Sequence, residues 1–179
     1  MTEVGSVYGG ALFDLAADEG VTLEILEQLQ VLSESFLQEP AFVKLLGAYS
    51  LAKKERCKIV DESFAGKVHP YVLNFLKILT EKGYVRYFSH CYDAYRVRYN
   101  QANNILPVTA VTAVALNDTQ SLRLQKKLQE QTGKTIELTN RVDPDVLGGV
   151  RLDFDGKCVD DTLSHRLDSI RNMLNHTVL

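Results

Sequence analysis

Up to about Asn104 the apolar positions recur at three- and four-residue steps, and beyond Pro107 they run together or alternate. The first regime predicts helices and the second predicts strands. Val4, Tyr8, Ala11 and Leu15 share one face of a first helix. Thr22 is suited to cap a second, with Ile25, Leu29, Leu32 and Phe36 as its stripe. Pro40 fits the first turn of a third helix, where its missing N–H leaves nothing unpaired. A fourth is expected from about Lys53 to Phe64, stopped by Gly66, and a fifth from Pro70 to Gly83. The sixth carries Val85, Phe88, Tyr92, Tyr95, Tyr99 and Ala102 at unbroken steps of three and four.

Past Asn103–Pro107 the segment VTAVTAVAL, rich in β-branched residues and bounded by Pro107 and Asn117, predicts a strand. Asp118 is placed to cap a helix carrying Leu122 and Leu128, and Gly133 to end it. A second strand follows in TIELTNRV, then VRLDF, an Asp155-Gly156 hairpin turn and the returning KCV. Asp160 or Asp161 caps a last helix with Leu163, Leu167, Ile170 and Leu174 on one face. The expected fold class is α+β. An N-terminal six-helix bundle (residues 1–104) precedes a small α/β domain (residues 105–179), a short mixed sheet with two helices.

Composition narrows the functions. The net charge of -3 supports no bulk attraction to nucleic acid or an anionic membrane. Cys57, Cys91 and Cys158 are an odd count without close spacing, which suits reduced thiols. No run approaches the roughly 20 apolar residues that span a bilayer, so membrane association is expected only through a partner. The acidic opening segment lacks the features of a signal or transit peptide.

Candidate chemistry is sparse. Gly133-Lys134-Thr135 has the ending of a phosphate loop, but Leu128 replaces the earlier glycine and the strand–helix order is reversed. Asp153, Asp155, Asp160 and Asp161 do not follow a calcium-loop pattern and read as solvated strand positions and caps. The histidines share no metal spacing with the cysteines. No catalytic residue, cofactor or metal is expected. The sixth helix interleaves aromatics with Arg86, Arg96 and Arg98, so the alternative is a helical protein that uses this helix to bind single-stranded nucleic acid or to act as an adaptor. In the fifth helix Val72, Leu76 and Leu79 form one stripe, and Tyr71, Phe75 and Ile78 form a second beside it. Such a surplus belongs to a central helix or to one covered by a partner. Gly9, Gly10 and Ala11 would let another backbone come close to the first helix.

The segment from Arg141 to Leu174 resembles the C-terminal signature of the ATP synthase delta subunit family, which includes the oligomycin-sensitivity-conferring protein. The resemblance rests on Val142-Asp143, Leu147-Gly148-Gly149-Val150, Asp155-Gly156, Asp160 and His165-Arg166-Leu167. YGGALFDLA and NFLKILTEKGYVRYF are similar to the family's first helix and its fifth-to-sixth passage. Gly9 stands where alanine is usual, and Ser6-Val7 where basic residues often precede the tyrosine. The resemblance implies a non-catalytic stator on the cytoplasmic face of the bacterial membrane, one copy per complex. It would link the N-terminal helix of an alpha subunit to the b subunits, so that proton transport stays coupled to ATP synthesis. Its alpha site would lie between the first and fifth helices, which places it on Tyr8, Ala11, Leu12, Leu15, Phe75, Ile78 and Leu79. Asp143, Gly148, Gly149, Asp155, Gly156, Asp160 and Arg166 are expected to serve the fold.

Overall fold

The computed structural model describes residues 2–48, 51–144, 146, 149–154 and 157–160. Expectations for Gly148, Asp155, Gly156, Arg166 and the final helix lie outside these residues. The chain divides into two units, residues 1–99 and 100–179. Helices come first and a mixed sheet follows, the α+β order anticipated from the change in periodicity.

The first unit is built from α1 (Glu3–Asp18), α2 (Thr22–Gln38), α3 (Pro40–Leu46), α4 (Lys53–Phe64), α5 (Pro70–Lys82), a 3₁₀ turn (Val85–Tyr87) and α6, which opens at Phe88 and runs to Ala102. The stripe of α2 is buried as expected, and Val72, Leu76 and Leu79 of α5 meet it in the core. Two expectations need correction. Thr22 does not cap α2: it is the first helical residue, and Val21 occupies the cap without a side-chain bond. The sixth helix is not continuous, because Val85–Tyr87 winds as the tighter 3₁₀ form before α6 begins. With seven residues, α3 is too short to be stable alone. Arg56 reaches back from α4, almost wholly buried, and donates to the Leu46 carbonyl at 3.0 Å, satisfying the open end of α3.

In α1 the periodicity marked a real face, but not the buried one. Gly5, Gly9, Leu12 and Ala16 are buried, whereas Ala11 and Leu15 are exposed and Val4 and Tyr8 half-buried. Glycine explains the offset. A Cβ on Gly9 would stand 2.3 Å from the Cys91 carbonyl oxygen, and one on Gly5 2.9 Å from the His90 carbonyl. The backbones of α1 and α6 touch where a side chain would keep them apart. Arg98 of α6 closes the contact, donating to both oxygens of Asp14 at 2.7 and 2.9 Å.

In the second unit β1 (Ile105–Thr112) leads through α7 (Asp118–Thr132) to β2 (Thr135–Val142), which lies parallel to it. Then β3 (Val150–Phe154) pairs antiparallel with β1, and β4 (Lys157–Asp160) completes the order β2-β1-β3-β4. Leu106, Val108 and Ile136 are buried, with Leu128, Leu138, Leu152 and Phe154 against them. Here β1 starts earlier than expected: Ile105, Leu106 and Pro107 belong to it, and Asn103-Asn104 alone forms the turn, with Asn104 at φ 53. Asparagine tolerates that conformation better than most residues. Pro107 precedes Thr109, where the described pairing with β3 begins, so its missing N–H breaks no ladder bond with β3 among the described residues.

The α7 cap also differs from expectation. Asn117, not Asp118, accepts from the Gln120 amide at 2.8 Å, and Gln120 returns the bond to the Asn117 amide. Leu122 points outward, leaving Leu128 to face the sheet. Gly133 ends α7 at φ 67, so Gly133-Lys134-Thr135 is a helix stop leading into a strand. Gly149 has φ 89, which a β-branched residue adopts only with strain. Asp160 is the last residue of β4, and the helix it is expected to cap lies outside the described residues. Asp153 pairs with its neighbour Arg151 at 3.4 Å.

Candidate functional site

The surplus stripe of α5 opens onto a groove. Tyr8, Ala11, Leu12 and Leu15 of α1 form one wall, and Tyr71, Asn74, Phe75 and Ile78 of α5 form the other, enclosing about 370 Å³. Leu12 and Phe75 are nearly buried and make the floor, while Leu15 at 41% and Ile78 at 45% exposure form the rims. From Tyr8 to Leu15 the wall rises about 10 Å, two turns of helix. An exposed Leu or Ile is ordinary when single, but not when several line one concave strip.

Six of the seven residues expected here meet in this groove. The exception is Leu79, which is fully buried and packs in the core instead. Two lining residues were not anticipated, Tyr71 and Asn74. Tyr71 belonged to the surplus stripe, so spacing had marked it. Asn74 carries no apolar signal, and only its position, one turn before Ile78, could have nominated it. Gly9 and Gly10 do not serve the groove: their side of α1 is occupied by α6 of the same chain. Burial, followed by the charge and the side-chain bond of Glu19, raises the Tyr71 phenol above its ordinary range.

The rival surface on α6 is largely committed. Phe88 and Tyr95 are buried, and the Tyr95 hydroxyl donates to the Thr22 carbonyl at 2.9 Å. Arg98 is held by Asp14, Arg86 lies 4.7 Å over the Tyr87 ring, and Arg96 lies 5.7 Å from the Tyr92 ring. Aromatics spent in a core and arginines spent on local partners do not form a base-stacking platform.

Cys91, at the contact of α1 with α6, is buried, and its thiol is pushed up to about 11 from 9.0. The unfolded chain therefore loses this proton first. The stability tied to the thiol is complete below pH 9 and lost as pH rises through about 11. In the native chain at pH 8, iodoacetamide is expected to modify exposed Cys158 readily and Cys91 only after unfolding. Equal native rates would contradict the burial of Cys91.

An apolar groove two turns long, on a helical unit followed by a small mixed sheet, is the build of an adaptor that docks on other proteins. The chain belongs to the ATP synthase delta (OSCP) subunit family, which it matches over residues 4–174. It is thus a non-catalytic component of the peripheral stalk of F-type ATP synthase. The ATP synthase subunit delta of Alkaliphilus oremlandii is 32% identical over 172 residues, 96% of each chain. That of Lactobacillus delbrueckii subsp. bulgaricus is 34% identical over 178 residues, again 96% of each. A chain of the Toxoplasma gondii mitochondrial ATP synthase hexamer shares the fold, with TM-score 0.75 at 15% identity, over 97% of this chain and 98% of that one. Among the described residues no helix is long and apolar enough to cross a membrane.

Proposed function

We propose that the α1–α5 groove receives the amphipathic N-terminal helix of an alpha subunit of the catalytic head. The second unit would meet the ends of the b subunits. The chain acts as a mechanical tie on the cytoplasmic face of the bacterial membrane, one copy per complex. It keeps the head from turning with the rotor, so proton transport and ATP synthesis stay coupled. The helices serve as a six-helix bundle over residues 1–104, and residues 105–179 serve as the second domain. The C-terminal signature, including Asp143, Gly149 and Asp160, maintains that second domain and leaves the alpha contact to the first.

One observation carries this reading: the groove exposes Leu15 and Ile78 on facing rims above an apolar floor of Leu12 and Phe75. Helix-in-groove docking uses apolar anchors spaced by three, four and seven residues, and this strip offers them a matching channel. Binding of a synthetic alpha N-terminal peptide to the full chain, followed by calorimetry, tests it. Saturable binding between nanomolar and micromolar is expected, and absence of heat at millimolar peptide would refute the site.

A further inference from the structure

The two ends of the groove differ in charge. Tyr71 meets Glu19 at one end, and the Tyr8 and Tyr84 rings meet at 5.9 Å toward the other, so α1 and α5 run antiparallel. Steps of about 100° per residue carry the groove-facing line of α1 from Ala11 through Leu15 to Asp18 and Glu19. Both are exposed, and neither has an ion-pair partner among the described residues.

A helix C-terminus favours cations, yet the last turn of α1 has no basic residue and ends in two acids. The N-terminus of α5 lies at the same end, capped by His69, whose Nδ1 accepts from the Tyr71 amide at 3.3 Å. Its positive pole offsets the negative pole of α1, which leaves the two carboxylates as the net charge. At the other end Glu81 and Lys82 offset each other, and no basic side chain lines the groove. A locally unfavourable arrangement of this kind is expected where a surface is built for a partner.

We infer that the groove selects the direction of its guest, holding an amphipathic helix whose cationic end lies against Asp18 and Glu19. The inference rests on the groove being a helix-docking site, as proposed above. Complementary rim charges suppress the wrong register more than they add affinity.

Two synthetic peptides with one apolar stripe provide the test, the first with lysines in its first turn and the second with lysines in its last. Each carries a spin label at the lysine end and is added to the full-length chain at low salt. Amide signals near Asp18 and Tyr71 should broaden with both peptides, so the two guests lie in opposite directions. In the Asp18→Asn, Glu19→Gln double variant, affinity should fall about fivefold, and the salt dependence and directional preference should vanish. Both peptides lying in the same direction, or a double variant that binds like wild type, would overturn the inference and leave the docking site standing. Failure of both peptides to bind at all would remove the docking site and the inference together.

Discussion

Replacing Gly9 by valine should lower the stability of the helical unit by about 2–3 kcal/mol. The added Cβ would stand 2.3 Å from the Cys91 oxygen, 3.0 Å from its carbonyl carbon and 3.1 Å from the Ala94 Cβ. Two of these atoms are backbone, so no rotamer change relieves the clash and α1 must move off α6. A side chain in place of glycine favours the helix by up to about 1 kcal/mol, which is too little to compensate. The melting temperature should fall by roughly 10 °C or more, and Cys91 should become open to alkylation. Gly10→Ala provides the contrast. Its Cβ would meet the end of the Arg98 side chain at 2.8 Å, which can swing aside, so the expected cost is below about 1 kcal/mol. A Gly9→Val chain that melts with the wild type would show that α1 and α6 do not approach as described.

The second large effect concerns binding and leaves folding intact. Ile78→Asp should weaken the alpha peptide by about 3 kcal/mol, roughly a hundredfold, while the helical circular dichroism persists. Ile78 is 45% exposed in the free chain, so an aspartate there is hydrated until a guest covers it. The cost then appears on docking, as a carboxylate buried against apolar surface without a partner. Leu79, the next residue, should behave in the opposite way. It is fully buried, and Leu79→Ala should remove about 2–5 kcal/mol of stability before any change in groove chemistry. Unchanged peptide affinity in Ile78→Asp would move the docking site elsewhere.

These contrasts show what one sequence made legible. Helix boundaries set by proline and glycine were readable, as at Pro40, Pro70, Gly83 and Gly133, because those residues act through their own backbone. The caps of α2 and α7 were each misplaced by one residue, since Thr22, Asn117 and Asp118 are all chemically competent and only the local geometry chooses. Pro107 suggested a strand boundary but lies inside β1, ahead of Thr109, where the described pairing with β3 begins.

The site was readable in its stripes and unreadable in its depth. Spacing placed Leu79 beside Ile78, and only packing separates the buried residue from the rim. The small residues of α1 invited a partner backbone, and that invitation is answered within the chain by α6. A periodic apolar face therefore had two readings in α1, and the glycines decided between them: Gly5 and Gly9 face the interior, while Ala11 and Leu15 face the groove. A pattern of polarity cannot state that, because glycine counts as neither polar nor apolar and acts through distance.

The most direct test uses the assembled ATP synthase, with a photo-activated benzoylphenylalanine in place of Leu15 at the groove rim. After irradiation and digestion, the account predicts cross-linked peptides from the N-terminal helix of an alpha subunit. That product should be lost when Ile78→Asp is present in the same chain. Cross-links that fall only on a b subunit, or that reach the alpha subunit outside its N-terminal helix, would contradict it.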